Sequence, residues 1–306
     1  MKLSSTWIVV EDGRRPAGLV AARTLRKRLD TVWHELALAG VGVAHDVERV
    51  HQLRVATRRA IAAIDAFRDL LPTKRAEWFT KQLRRIRRAA GEARDLDVLT
   101  DRLTGDPGAS GGGRARRRLV AMLSKQREVS CQPIRTVHER LLDDWLDRVE
   151  RLLAGVVTGR SQPTFRAYAR RRFRPMMRRF FAAADRKLHS TDEMHALRIE
   201  GKKLRYAMEI FSAMFPPRVR SRCYDALERL QETLGDFTDH ATAADRLRRL
   251  AHETSAAANR DVLERLCAQE ERQADQARKA FIKWWDAGRR RALRRRFERT
   301  LRRVSA

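Results

Sequence analysis

The chain has 306 residues, 43% hydrophobic and 35% charged, with 67 Lys and Arg against 39 Asp and Glu and a formal charge of +28. That apolar content excludes a disordered chain and suffices for one large domain or two modest ones. The charge exceeds what solubility needs and opposes compaction by self-repulsion, so it points to a polyanionic partner. Arginine supplies most of it, and its planar guanidinium matches phosphate oxygens bidentately where lysine acts more as a point charge. Cys131, Cys223 and Cys267 lie far apart with no CxxC pair, which argues against a zinc site or a disulfide framework. No run approaches a membrane span, and the opening is too short for a signal peptide, so a cytoplasmic location is expected.

In chain order, residues 1–15 read as an N-terminal extension, with TWIVV (Thr6–Val10) as the one strand-like stretch. Beyond it the chain is rich in Leu, Ala, Arg and Glu, with apolar residues recurring at three and four, the period of half-buried helices. A first basic helix carries Arg23, Arg26, Lys27 and Arg28. GDPGASGGG (Gly105–Gly113) reads as a flexible loop, and LAGVVTGRSQP (Leu153–Pro163) as a second break. Trp78, Trp145, Trp284 and Trp285 sit among apolar positions and are assigned to the core. The expected fold is all-α: a first helical-bundle half over 16–152, a linker at 153–159, a second half over 160–286, and a basic tail at 287–306. The tail has nine arginines after Asp286 and a thin stripe of Ala292, Leu293, Phe297 and Leu301. It fits a capping helix, an amphipathic surface-binding arm or a disordered extension.

An internal repeat sets the organisation. HQLRVATRRAIAAIDAFRDLLP (His51–Pro72) recurs 144 residues later as HALRIEGKKLRYAMEIFSAMFP (His195–Pro216). The same offset carries LRRIRRAAGEARD (Leu83–Asp95) onto LERLQETLGDFTD (Leu227–Asp239), with Gly91 and Asp95 answering Gly235 and Asp239. Helical periodicity alone does not conserve such spacing, so two homologous helical bundles of about four long helices each, packed as one unit, are expected.

On a helix, His51, Arg54 and Arg58 share one side, with Arg59 rotated by about 100°. His195, Arg198 and Lys202 repeat that face, with Lys203 flanking and Arg205 in the next turn. Val55, Ala62 and Phe67, and Ile199, Tyr206 and Phe211, are expected to face the core. From Arg49 to Arg88 twelve Lys or Arg face only Asp65, Asp69 and Glu77, so internal carboxylates do not cancel the positive face and a bound polyanion would. Histidine suits such a site in either charge state; a structural bond from His51 or His195 to Asp95 or Asp239 is the alternative. The second half opens with Arg170, Arg171, Arg172, Arg174, Arg178 and Arg179, and two helices per half are expected to line a shared groove. No metal-ligand set or positioned nucleophile accompanies these cations, so neither catalysis nor a metal or cofactor is expected; a metal-dependent phosphohydrolase, drawing on Asp95, Asp97, Asp236 or Asp239, is the lesser alternative. Nucleic acid is the rival partner, though no aromatic platform for bases interleaves the arginines.

These residues carry a resemblance. HxxRVxxRR followed by Phe, and HxxRIxxKKLRYxxEIF, resemble the paired signatures of the CHAD (conserved histidine α-helical domain) family. GEARDLDVL and LGDFTDHA resemble its second signature, and the likeness runs over about residues 13–286. The resemblance implies two four-helix bundles related by a pseudo-twofold, with His and basic residues lining a central groove. It also implies binding of inorganic polyphosphate and, for some members, association with polyphosphate granules. It places binding roles on His51, Arg54, Arg58, Arg59, His195, Arg198, Lys202, Lys203 and Arg205, with Tyr206 as the family tyrosine. Arg23, Lys27, Arg170, Arg171, Arg174 and Arg178 extend the positive field. One departure is Ile61, where the family often has another Arg; it implies a looser grip in the first half.

Overall fold

In the computed structural model the described residues, 6–41, 46–105, 113–156, 163–188 and 190–303, form helices and connecting turns without a strand. GDPGASGGG and the centre of the second break lie largely outside the described residues. The strand-like Thr6–Val10 opens with a bend at Thr6 and Trp7 and, among the described residues, has no partner strand. Instead Ile8 N–H donates to the Glu209 carbonyl at 3.0 Å, and Ser212 Oγ donates to the Ile8 carbonyl at 2.5 Å.

The described residues group into two compact units. The first runs from Ala21 through the first half and takes in Ala256–Val262. It contains most of α1 (Ala17–Val41), then α2 (Val47–Ala66), α3 (Thr73–Ala89), α4 (Gly91–Gly105), α5 (Gly113–Ser130), α6 (Gln132–Leu141) and α7 (Trp145–Ala154). Asp46 caps α2 by accepting from the Arg49 N–H, satisfying one orphan donor of the first turn. A 3-10 turn at Arg68–Leu70 and then Pro72 separate α2 from α3, since proline cannot continue a helix but can lead into one. The core closes on Trp145, which is fully buried, stacks on Trp33 at 5.6 Å and meets Phe79 edge-on at 5.2 Å. Asp97 of α4 and Arg127 of α5 form a buried pair at 2.9 Å.

The second unit takes the chain before Ala21 together with the second half and everything from Leu263. It holds α8 (Phe165–Ala184), α9 (Thr191–Ile210), α10 (Pro217–Glu253), most of α11 (Ala257–Trp284) and α12 (Ala287–Arg303). Ser190 and Glu193 form a capping box at the start of α9. A 3-10 turn at Ser212–Met214 and Pro216 lead into α10. Thus α2 and α9 begin and end 144 residues apart, and so do their 3-10 turns and the starts of the next helices. They differ at the glycine: α3 stops at Ala90 and α4 begins at Gly91, whereas α10 runs unbroken through Gly235.

Thr6–Val20 and α12 both group with the second unit. Leu293, Phe297 and Leu301 are buried, and the Phe297 ring lies 5.6 Å from Phe173 and 6.2 Å from both Phe181 and Phe215. Of the three readings of the tail, the capping helix is the one observed. The apolar face of α2 is Leu53, Ala56, Ala60, Ala63 and Phe67, not Val55 and Ala62, which stay half-exposed. On α9, Tyr206 and Phe211 are buried as expected, while Ile199 is 40% exposed. The true stripe follows the three-and-four spacing from Leu53, one residue away from the row through Val55.

Candidate functional site

In the first unit α2 packs against both α3 and α4, and this contact gathers cations from three helices. His51, Arg54 and Arg58 come from α2, Arg87 from α3 and Arg94 from α4. Arg54 reaches across to donate from Nη1 to the Ala90 carbonyl at 3.3 Å. A Cβ on Gly91 would stand 3.7 Å from that nitrogen, so the guanidinium lies over the glycine at the helix junction. Arg58 donates from Nε to the Arg54 carbonyl at 3.1 Å, which turns it back along its own helix.

The electrostatics are those of a crowded cationic patch. Burial, and then Arg94, hold His51 below the usual histidine range, with Arg58 and Arg54 adding to the effect and Glu48 opposing it. Burial lowers the Arg54 pKa as well; Asp95 opposes the shift, while Arg58, Arg87 and Arg94 reinforce it. Partial burial and then Arg58, Arg84 and Arg88 lower Arg87. Among the described residues neither Arg87 nor Arg94 has a carboxylate partner. Four guanidinium groups and the partly buried His51 therefore act on one another, with Glu48 working against them at His51 and Asp95 at Arg54. Such an arrangement is unfavourable until an external anion enters.

The second unit keeps the frame and loses the charge. Arg198 lies over Gly235, whose added Cβ would stand 3.6 Å from Nη2, and the same nitrogen donates to Asp239 at 3.4 Å. The positions answering Arg84, Arg87 and Arg94 are Glu228, Gln231 and Thr238. Lys203 pairs with Glu200 at 2.5 Å, and Lys202 follows Gly201, where α9 approaches α10 so closely that a Cβ would meet Leu230 at 3.0 Å. His195 is exposed in the second turn of α9. Arg205 is mostly enclosed: it donates to the Tyr224 hydroxyl at 2.9 Å and faces Glu228 at 3.6 Å and the buried Glu209 at 3.8 Å. Burial works against its charge, but Tyr224, Tyr206 and Glu209 outweigh it and raise the pKa. Arg205 is thus committed to internal partners. Asp95 opposes the lowering of Arg54, and Asp239 pairs with Arg198.

The remaining expected cations lie elsewhere. Arg23 is exposed on α1, and the half-buried Lys27 is lowered by burial and then by Arg28, with no side chain of α2 contributing. Arg59 sits beside Arg58, half-exposed. Arg170, Arg171 and Arg174 line a cleft of about 400 Å³ on α8 with Arg166, while Arg178 stays exposed one turn on. Sequence reasoning missed Arg87 and Arg94 as site members. The signal was present in LRRIRRAAGEARD, where arginines flank the glycine that marks the helix junction.

The comparisons agree with this frame. The CHAD domain family matches residues 23–248. Two uncharacterized proteins of Mycobacterium tuberculosis, MT2285 and Rv2226, are each 26% identical over 211 residues, 65% of this chain. The chain spans 40% of the length of these relatives. Among solved structures, the CHAD domain from the plant Ricinus communis superposes with a TM-score of 0.69 at 19% identity, over 91% of this chain and 96% of that one. PptA from Streptomyces chartreusis gives a TM-score of 0.58 at 20% identity, over 88% and 99%. With the matched region covering most of both halves and the fold shared, the chain belongs to the CHAD domain family.

Proposed function

We propose that this chain binds inorganic polyphosphate without transforming it, and that the cationic patch of α2, α3 and α4 is its main grip. The observation that carries this reading is the crowding of Arg54, Arg58, Arg87 and Arg94 around His51 where three helices meet, opposed among the described residues by Asp95 at Arg54 and Glu48 at His51. A linear phosphate polymer neutralises fixed guanidinium groups at close spacing and asks for no base-reading platform. The two units are copies of one ancestral bundle in this reading, supported by helix ends and Arg–Gly contacts that recur at one offset. The second copy grips less, because Glu228, Asp239 and Glu200 take up part of its charge. That reverses the weighting that Ile61 suggests from sequence. Cytoplasmic residence and association with polyphosphate granules go with the proposal; among the described residues no helix is long and apolar enough to cross a membrane.

The test is a competition titration with polyphosphates of several lengths, duplex DNA and RNA at matched phosphate concentration and two salt concentrations. Polyphosphate should resist displacement by nucleic acid, and its affinity should fall steeply with salt. Displacement by duplex DNA at equal phosphate would make the chain a nucleic-acid binder. Sustained phosphate release with Mg²⁺ or Mn²⁺, lost in Asp95→Ala, would make it an enzyme.

A further inference from the structure

The second unit carries a basic feature that the α2–α4 patch does not explain. Docking of α12 against α8 and α10 encloses a cleft of about 590 Å³ beside the start of α10. Arg166, Arg218, Arg222, Arg296 and Arg299 line it, with no Asp or Glu in the lining. Among the described residues, none of these five guanidinium groups has an ion pair or a side-chain hydrogen bond within the protein. Met214, Phe215 and Val219 supply apolar wall. The start of α10 adds its own partial charge: Pro216 is the N-cap and offers no side-chain acceptor. Val219 and Arg220 N–H groups bond the Pro216 carbonyl, while the Arg218 N–H has no such bond. Five arginines and an uncapped helix start thus surround one concave space, the kind of donor set that a compact multivalent anion requires.

The corresponding place in the first unit is closed. There α7 packs its end on Pro72, so that a Cβ on Gly155 would overlap the proline ring at 2.5 Å, and Arg75 donates to the Arg151 carbonyl. Trp78 stands where the second unit has Arg222, and Arg148 covers it at 4.5 Å. The cleft therefore depends on the arginine-bearing α12, which lies beyond the region matched by the family. Arg166 also lines the neighbouring α8 cleft with Arg170, Arg171 and Arg174, so the positive surface continues along α8.

We propose that this cleft is a second, separate anion site, in which Arg166, Arg218, Arg222, Arg296 and Arg299 clamp a triphosphate-sized group, free or at the end of a longer polymer. The choice of phosphate follows the functional reading above; the geometry is independent of it.

Isothermal titration of the full chain with inorganic triphosphate tests it. Arg218→Ala/Arg222→Ala and Arg296→Ala/Arg299→Ala should each weaken triphosphate binding by about tenfold or more. Arg291→Ala/Arg295→Ala removes equal charge from α12 outside the lining and should change the affinity less than about threefold; Arg54→Ala/Arg87→Ala removes charge from the patch, and saturable triphosphate binding at the cleft should persist in that background. The last pair should still lose affinity for long polyphosphate, which separates failure of the cleft from failure of the patch. Competition of long polyphosphate with triphosphate in Arg54→Ala/Arg87→Ala distinguishes the sources: displacement means a polymer end enters the cleft, and no displacement means it takes free oligophosphate. Far-UV circular dichroism verifies folding of each variant. Absence of saturable triphosphate binding, equal loss in the Arg291/Arg295 control, or full retention in both cleft pairs would overturn the site.

Discussion

Replacing Arg54 with Ala separates stability from binding at the patch. In the free protein Arg54 makes one long hydrogen bond, to the Ala90 carbonyl at 3.3 Å, and feels Arg58, Arg87 and Arg94 as unfavourable neighbours. Losing the bond costs about 0.5–1.5 kcal/mol, and relief of repulsion offsets part of that, so the melting temperature should move little. A charge-assisted bond to phosphate is worth about 1.5–3 kcal/mol, so affinity for long polyphosphate should fall by about 10- to 150-fold. The slope of log K against log salt should become shallower by about 0.7–0.9, the value for one phosphate contact in nucleic acids. Arg198→Ala should cost less, because Asp239 already neutralises part of that guanidinium. Fluorescence titration with labelled polyphosphate at several salt concentrations measures both quantities. Unchanged affinity in Arg54→Ala, or a larger loss in Arg198→Ala, would refute the assignment of the main grip to the first unit.

Arg205→Leu should behave in the opposite way: the 1%-exposed Glu209 loses its cation, which should cost about 1–3 kcal/mol of stability in thermal unfolding, with a smaller effect on polyphosphate affinity than Arg54→Ala. Phe297→Ala should lower stability by about 3–5 kcal/mol, because its ring fills the space between Phe173, Phe181 and Phe215; a wild-type melting curve would return α12 to the status of an appendage. His51 is held below its ordinary pKa by burial and then by Arg94, so the unfolded chain protonates there first as pH falls through about 6.5. Its contribution to stability is therefore present above that value and lost below it, and His51→Gln should flatten this part of the pH–stability curve. A bound polyanion favours the charged imidazole, so calorimetry near pH 6.5 in buffers of different ionisation enthalpy should show proton uptake that His51→Gln reduces.

The helical class, the repeat and its offset were legible because they rest on local rules. Capping residues, prolines and the three-and-four apolar spacing act within a few residues, and the chain repeats them in register from Asp46 to Pro72 and from Ser190 to Pro216. The row of His51, Arg54 and Arg58 was legible for the same reason, since one helix places it. The membership of Arg87 and Arg94 was not, because they join through the packing of α3 and α4 on α2. Nor was the commitment of Arg205, whose partners Tyr224 and Glu228 lie on another helix.

Sequence alone determined that this chain is helical, that its signatures recur 144 residues apart, and that its positive charge far exceeds its negative charge. Tertiary packing decided where that charge goes unanswered. It sorted arginines of similar local context into braces such as Arg127 on Asp97 and Arg205 on Glu209, and into clusters such as Arg54 with Arg87 or Arg218 with Arg296. The physical reason is that a guanidinium's role depends on the charges and burial around its end, and those are supplied by helices distant in sequence.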